Sequence, residues 1–560
     1  MTGAQFIVDR LIKRGVTDAF GIPGGVILKL IYAMDEREEE LMPHLSYHEQ
    51  AAGFAACGYA QASGKLGVAY ATRGPGFTNL VSAIADAYYD SLPVLFITAH
   101  AADCPPTGMR VMADQEMDTC SMVRNITKEA LRIDDAETFP EEFESICEIA
   151  LTGRKGPVFI DISSNLLNQE IHLSSHGAIQ QEIKAIDDVV INDIVSSIRN
   201  AKRPIVLVGD GVNQAGARQQ FVEFVRQVSI PVVSSRFSHD ILGNNDLYYG
   251  YVGSHGTRIA NFILSKADLI ISVGNRLHFP VASQTFGEIF SHARLIRCDI
   301  DNNEFKRNIP NSVYYQLDVF GLLDKLTVDT HDYGLHKDWI RVCDTLRQEL
   351  LEEDMNVATK QIAVILKHVS PDWSVVNDVG NNEFWVSRAS VYIKGIHRTY
   401  YSKSFGALGC GLGKAIGVCY ATRKPVLCFV GDQGLQINIQ ELQFIAQHRL
   451  PIMIMLVNNT ASGMIRDREL TYGKFLHTTQ SSGFGSPNYK GIAKAYGLSY
   501  YQLIANEELD SLVFNDNLPK LMEMRISEDL SLTPNLPRGA KCQDMQPALA
   551  KEKYEYLNAL

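Results

Sequence analysis

The sequence predicts an α/β protein built from three doubly wound parallel-sheet domains. Three observations predict it. Short apolar runs with strand character alternate with helical spacings. That alternation restarts after each of two polar stretches. The chain has 560 residues, enough for three or more domains at roughly 150 residues each.

The first block contains LGVAYAT, PVLFITA and PVFIDIS and is assigned to residues 1–165. A polar stretch near 166–186 reads as a linker. The second block, 186–330, opens at PIVLVGDGV and continues through IPVVSS, LIISVG and LIRCDID. A polar, helical connection follows over roughly 331–360. The third block, 356–530, runs from SVVNDVG through VLCFVGD and PIMIMLVNN, and 531–560 form a polar, Pro-containing tail. No short repeat or low-complexity tract interrupts this order.

Composition is that of a globular protein, with 46% hydrophobic and 21% charged residues. A net charge of −12 argues against a nucleic-acid or anionic-membrane partner. The N-terminal Ala4, Ile7, Val8, Leu11 and Ile12 keep helical spacing, and Arg10 and Lys13 interrupt any signal-peptide core. The ten cysteines are scattered without a C-x-x-C pair, and Cys428 lies in the apolar run VLCFV. Reduced, mostly buried thiols in a cytoplasmic protein are expected.

The segment from Val426 to Gly463 carries the strongest chemical signal. It reads as strand, helix, strand, with Asp432 just after the first strand and Asn459 just after the second. If those strands are neighbours, about 4.8 Å apart, an acid and an amide stand together at the carboxyl edge of a sheet. Such a pair suits Mg²⁺, which prefers oxygen ligands and keeps a phosphate in its shell. The Gly431 and Gly434 backbone, at a helix start, offers N–H groups to that phosphate.

At these residues the chain resembles the thiamine-diphosphate enzyme family, whose signature is Gly-Asp-Gly, a spacer, then Asn-Asn. The resemblance implies that Asp432, the Asn459 side chain and the Ala461 carbonyl hold Mg²⁺. Gln433 stands where glycine or alanine is usual. Asn382 falls where acetolactate synthases carry a diphosphate-contacting histidine. The wedge that bends the cofactor matches Leu408, in a loop with Gly406, and Met464 and Ile465 match the pocket.

In SYHEQAAGF, Glu49 matches the family glutamate. A carboxyl beside N1′ of the aminopyrimidine favours the imino tautomer that takes the C2 proton. Alone, Glu49 would read as an ordinary helix-start acid. Around it, FGIPGGV with Gly24 and Gly25, and ATRGPGFTNLV with Pro75 and Asn79, resemble acetolactate synthase. Gly25 is a candidate beside the thiazolium, and Gln115 falls at a substrate-facing glutamine. Asp114 replaces the phenylalanine usual before it. Arg468 stands where those enzymes have a tryptophan that governs the second substrate, and its charge and donors would suit an anionic or hydroxylated one.

For the central block, the resemblance raises FAD. Here Gly209-Asp210-Gly211 is an incomplete nucleotide fingerprint, and GNRLHFPVAS (274–283) replaces the family's Arg-Phe-Asp-Asp-Arg loop. FAD is therefore not favoured, and a structural role is. HGTRIAN (255–261) matches.

The expected activity is decarboxylation of a 2-oxo acid, pyruvate first, with transfer of the two-carbon unit to a carbonyl acceptor. MADQEMD and CQDMQPAL are similar to acetolactate-synthase-like proteins of surface-polysaccharide gene clusters, which offers a keto-sugar acceptor as the alternative. A simple 2-oxo acid decarboxylase and a catalytically silent cofactor-binding paralogue are the remaining readings, and Glu49 speaks against the last. The family's arrangement implies a homodimer or homotetramer.

Overall fold

The computed structural model describes residues 1–101, 113–171, 186–277, 292–329, 336–394, 397–503 and 519–560. Cys104, Met112, most of the linker near 166–186 and the second half of GNRLHFPVAS lie outside these residues.

The eighteen described strands form three six-stranded sheets in which every pairing is parallel. The first sheet comprises β1 (Asp18–Gly21), β2 (Met42–Leu45), β3 (Gly67–Tyr70), β4 (Val94–His100), β5 (Glu129–Ile133) and β6 (Val158–Ser163). The central sheet comprises β7 (Pro204–Val208), β8 (Val232–Ser234), β9 (Tyr248–Tyr251), β10 (Leu269–Val273), β11 (Arg294–Asp299) and β12 (Ser312–Gln316). The third comprises β13 (Ser374–Asn377), β14 (Arg398–Tyr401), β15 (Val426–Gly431), β16 (Ile452–Asn458), β17 (Ser499–Leu503) and β18 (Lys520–Arg525).

The first sheet runs β2-β1-β3-β4-β6-β5 and the third runs β14-β13-β15-β16-β18-β17. Counted within each sheet, these are the same order. The central sheet runs β12-β11-β10-β7-β8-β9, the order of a dinucleotide-type fold. Fully buried strands such as β4, β15 and β16 read as continuous apolar runs because helices cover both faces.

Eight helices matter for the site. The first, α1 (Gly3–Lys13), begins at a capping box made by Thr2 and Gln5 and buries Phe6, Ile7, Val8 and Leu11. The others are α2 (Glu49–Ser63), α3 (Pro75–Asp90), α4 (Asn381–Tyr392), α5 (Gly411–Thr422), α6 (Asp432–Ile437), α7 (Glu441–Gln447) and α8 (Gly463–Glu469). One expectation needs adjustment: the single helix between β15 and β16 is split into α6 and α7. Asn438 between them spends its side-chain amide on the Gly409 carbonyl and the Gln50 side chain, and its backbone leaves helical geometry.

α2 lies against α5, and both helices are buried along most of their length. Small residues permit this. A Cβ added at Gly417 would sit 1.8 Å from the Ala55 carbonyl, and one at Gly58 would sit 2.4 Å from the Lys414 carbonyl. The tail returns to the central domain, where Cys542 and Leu557 join Trp339, Cys343 and Leu346 in one core cluster. The nine described cysteines are buried and unpaired. Among the described residues no helix is long and apolar enough to cross a membrane.

Gly417→Val is expected to destabilise the protein by about 1–3 kcal/mol or more, because backbone must move to admit the side chain. Gly485→Ala, where added atoms meet open space, is expected to change stability by less than about 0.5 kcal/mol. Thermal unfolding midpoints of the two variants check this.

Candidate active site

In both outer sheets the first strand has its next two strands on opposite sides, so the order reverses between β1 and β3 and between β13 and β15. Ligands of open parallel sheets bind at the carboxyl ends of strands at such reversals. Most of the sequence-predicted residues fall at or beside these two places.

At the third sheet, β15 and β16 are hydrogen-bonded neighbours with Gly431 opposite Val457. Asp432 and Asn459 therefore leave adjacent strand ends, and both are buried. They open on a cavity of about 240 Å³ lined also by Asn382, Leu408, Gly431, Gln433, Gly434, Ala461, Met464 and Ile465. Three helix starts face it: Gly380–Asn381 of α4, Asp432 of α6 and Ser462–Gly463 of α8. Helix starts present unpaired N–H groups and positive dipole ends, so their convergence favours an anion.

The Asp432 carboxylate accepts from the Gln433 N–H at 2.9 Å and the Ala461 N–H at 3.3 Å. Burial nevertheless pushes its carboxyl up to about 6. A nearby cation would offset that cost. The donor set is one carboxylate, the Asn459 amide and the Ala461 carbonyl. Among the described residues there is no group of three His, Cys, Asp or Glu side chains fit to hold a metal. Such a sparse set suits Mg²⁺ completed by phosphate oxygens.

The glycines form a cradle. A Cβ at Gly434 would approach the Asp378 carboxyl at 3.1 Å, and one at Gly463 would lie 2.7 Å from Nδ2 of Asn459. Asn382 donates to the Asp378 carbonyl at 2.8 Å, which directs its Oδ1 toward Gly380 and Gly431. Gln433 is exposed, and its Oε1 accepts from the Ser462 hydroxyl at 2.8 Å.

Sequence reasoning missed Asp378. It is buried at the end of β13 and accepts from the N–H groups of Gly409 and Gly411 at 2.9 and 3.0 Å. It thus holds the loop that carries Leu408, while burial pushes its carboxyl up to about 6. From the other side, Asp90 accepts from Lys403 and Ser404 N–H groups at 2.7 and 2.8 Å. The signal for Asp378 in the sequence was an Asp-Val-Gly turn directly after a strand. Gly406, in the same loop, takes a left-handed φ of 67° in open space.

At the first sheet, Glu49 opens α2 after the N-cap His48. Its Oε2 accepts from Nδ2 of Asn79 at 2.9 Å, and a Cβ at Gly76 would meet its Oε1 at 3.3 Å. Gly24 packs on Thr72, whereas Gly25 faces open space. Pro75 is the exposed first residue of α3. Gln115 has a φ of 61° and stacks its backbone on Gly74, and Asp114 beside it is exposed. None of these first-domain residues lines the Asp432 cavity.

Arg468 is exposed on α8, outside the cavity lining. It belongs to a cationic group: burial, then Arg388, Arg236 and Arg468, drive the His255 imidazole down to about 3. Arg236 lies over the Phe384 ring at 3.8 Å and pairs with the buried Glu383 at 3.3 Å.

The central sheet has its own reversal between β7 and β10, where a second cavity of about 270 Å³ is lined by Gly209, Asp210, Gly211, Asn275, Arg276 and Lys403, among others. Asp210 there is paired with Lys403.

Comparison with known proteins agrees with this geometry. Residues 1–122 match the family model for the thiamine pyrophosphate enzyme N-terminal TPP binding domain. Residues 191–326 match its central domain and 378–515 its C-terminal TPP binding domain. The chain belongs to the thiamine-diphosphate-dependent enzymes. Within them it is of the acetolactate synthase type. It is 31% identical to a probable acetolactate synthase large subunit of Methanococcus aeolicus, over 99% of this chain and 97% of that one. It is 30% identical to the acetolactate synthase large subunit of Lactococcus lactis, over 97% and 96%. It is 32% identical to the acetolactate synthase isozyme 1 large subunit of Escherichia coli, over 97% of each.

Proposed function

We propose that this enzyme decarboxylates a 2-oxo acid, pyruvate by first choice, and transfers the two-carbon unit to a carbonyl acceptor. The observation that carries the proposal is the convergence of three helix starts on the buried Asp432–Asn459 pair. Asp432, Asn459 and the Ala461 carbonyl would hold Mg²⁺. Gly431, Gln433, Gly434 and Asn382 would receive the diphosphate, and Leu408, Met464 and Ile465 would seat the rings. Gly24, Gly25, Pro75 and Gly406 would line the approach, with Gln115 toward the substrate.

When bound, thiamine diphosphate supplies the electron sink that decarboxylation requires. Glu49 would stand beside N1′ and hold the proton there, with Asn79 fixing the orientation of its carboxylate. In this reading the Glu49 and Asp432 that serve one site belong to different chains, as the family's arrangement implies, and the working assembly is a two-fold homodimer, or a homotetramer built from it, in which each chain completes its partner's site. Exposed Tyr47, Tyr88, Tyr89, Phe405, Ile465 and Tyr472 supply apolar surface for that pairing. Buried, unpaired cysteines support a cytoplasmic setting. FAD is not part of this proposal: Asp210 places a carboxylate where a pyrophosphate would meet the start of a four-residue helix.

Arg468, with its several donors, favours a larger acceptor rich in hydroxyl or phosphate groups, such as a keto sugar, over a second small 2-oxo acid, which offers it a carboxylate alone.

Mixed-subunit complementation tests the site and the assembly together. Glu49→Gln and Asp432→Ala are each expected to be inactive, the second through loss of Mg²⁺-dependent cofactor retention. Co-refolded or co-expressed, they should regain about a quarter of parental activity, because half the dimers are hybrids with one intact site of two. No recovery would place Glu49 and Asp432 of one chain in the same site.

Arg468→Trp is expected to weaken use of the native acceptor about ten- to a hundredfold. Donor CO₂ release should persist, because that step precedes acceptor binding. Measuring CO₂ and ligated product separately over a panel of 2-oxo acids, aldehydes and keto sugars checks this.

A further inference from the structure

Glu441 is a buried acid that the proposed chemistry does not use. It is the first residue of α7 and has no exposed surface. A helix-start acid gains from the dipole while still in water, so burial needs another cause. Its Oε1 accepts from the backbone N–H of Tyr47 at 3.1 Å, and the His48 N–H also favours its charge. Among the described residues its Oε2 has no hydrogen-bond partner, and burial pushes the carboxyl up to about 7. The groups it meets are thus the two residues immediately before Glu49.

On the other side of Glu49 stands Gln50. Its Oε1 accepts from Nδ2 of Asn438 at 3.0 Å, and the same amide donates to the Gly409 carbonyl at 2.8 Å. The Tyr47 hydroxyl adds a 2.8 Å bond to Oε1 of Gln447. Asn438, Glu441 and Gln447 belong to the break between α6 and α7 and to α7 itself. Both flanks of Glu49 are therefore tied to the segment that begins at Asp432, and through Gly409 to the loop carrying Leu408.

We propose that Glu441 and Asn438 are positioning residues that clamp Tyr47–Gln50 and so set where the Glu49 carboxylate stands. The clamp rests on the assignment of Glu49 above and adds residues that touch neither substrate nor cofactor. It also explains the split of the helix after Asp432. At the break the Asn438 backbone leaves helical geometry while its side-chain amide donates to Gly409 and Gln50.

Two readouts test the clamp. In cofactor-free protein, amide hydrogen–deuterium exchange over residues 46–52 reports the backbone directly. In protein loaded with thiamine diphosphate and Mg²⁺, C2 hydrogen exchange reports the placement of Glu49. Glu441→Ala and, independently, Asn438→Ala are expected to speed amide exchange about tenfold. They should slow C2 exchange by ten- to roughly a hundredfold, the cost of about an ångström of misplacement. Cofactor affinity should stay near that of the parent. Glu441→Gln keeps the acceptor oxygen and should restore both readouts. Parent-like C2 exchange in the alanine variants overturns the proposal, and so does Glu441→Gln as slow as Glu441→Ala. If Glu441→Ala does not fold, Asn438→Ala decides alone. Glu49→Gln run alongside separates the two levels: fast C2 exchange there removes Glu49 as activator, whatever the clamp variants do.

Discussion

The close approach of α2 to α5 is the constraint on which the placement of everything catalytic depends. Glycine and alanine bring the two backbones nearly into contact, so neither helix can slide or rotate without a clash. Into this contact the chain buries Lys414, with no exposed surface, 2.8 Å from Asp86 of α3. Burial works against its charge, but Asp86 and the other groups around it, Asp90 among them, together raise its pKa. Asp86 also accepts from Ser402, and Asp90 beside it takes the next two backbone N–H groups. An ion pair in so dry a place adds little net stability, yet breaking it would strand a charge. Its effect is register: the loop leading to Leu408 is held from the first domain by Asp86 and Asp90 and from the third by Asp378.

The two outer sheets share one strand order, and α2 and α5 are equivalent elements within it. Each follows the second strand of its sheet and leads to the third. The central contact is thus made by the same structural step taken twice. Around it the reversal points of the two sheets acquire different chemistry, an acid with an amide partner in one and a cation-and-anion cradle in the other. The topology says where a ligand can sit, and the residues at the strand ends say what kind.

Much of this was legible from local pattern. Continuous apolar runs marked the buried strands, and the neighbouring positions of Asp432 and Asn459 followed from a strand–helix–strand spacing. Strand order was not legible, because it depends on pairings between segments that share no local signal. Asp378 escaped notice because an acid after a strand is usually a turn former, and its partners are backbone N–H groups some thirty residues away. The helix break at Asn438 was hidden for a similar reason. Ile437, Leu442, Ile445 and Ala446 keep nearly helical spacing across it, and the bonds that favour the break come from Gly409 and Gln50.

The return of the tail has a consequence for how the molecule is made. One core of the central domain is shared among β7, β10, Trp339 and residues of the last two dozen positions, including Cys542 and Leu557. The carbonyls of Met545 and Pro547 also receive the buried Arg258, and that of Leu560 receives Arg203. In chain order these residues come after both outer domains. Each outer domain has a core of its own on one side, while a further cluster is common to both and needs the first and third domains together. The central domain cannot complete this core until the segment that follows the third domain has been made, so the middle of the molecule closes late in the order of the chain.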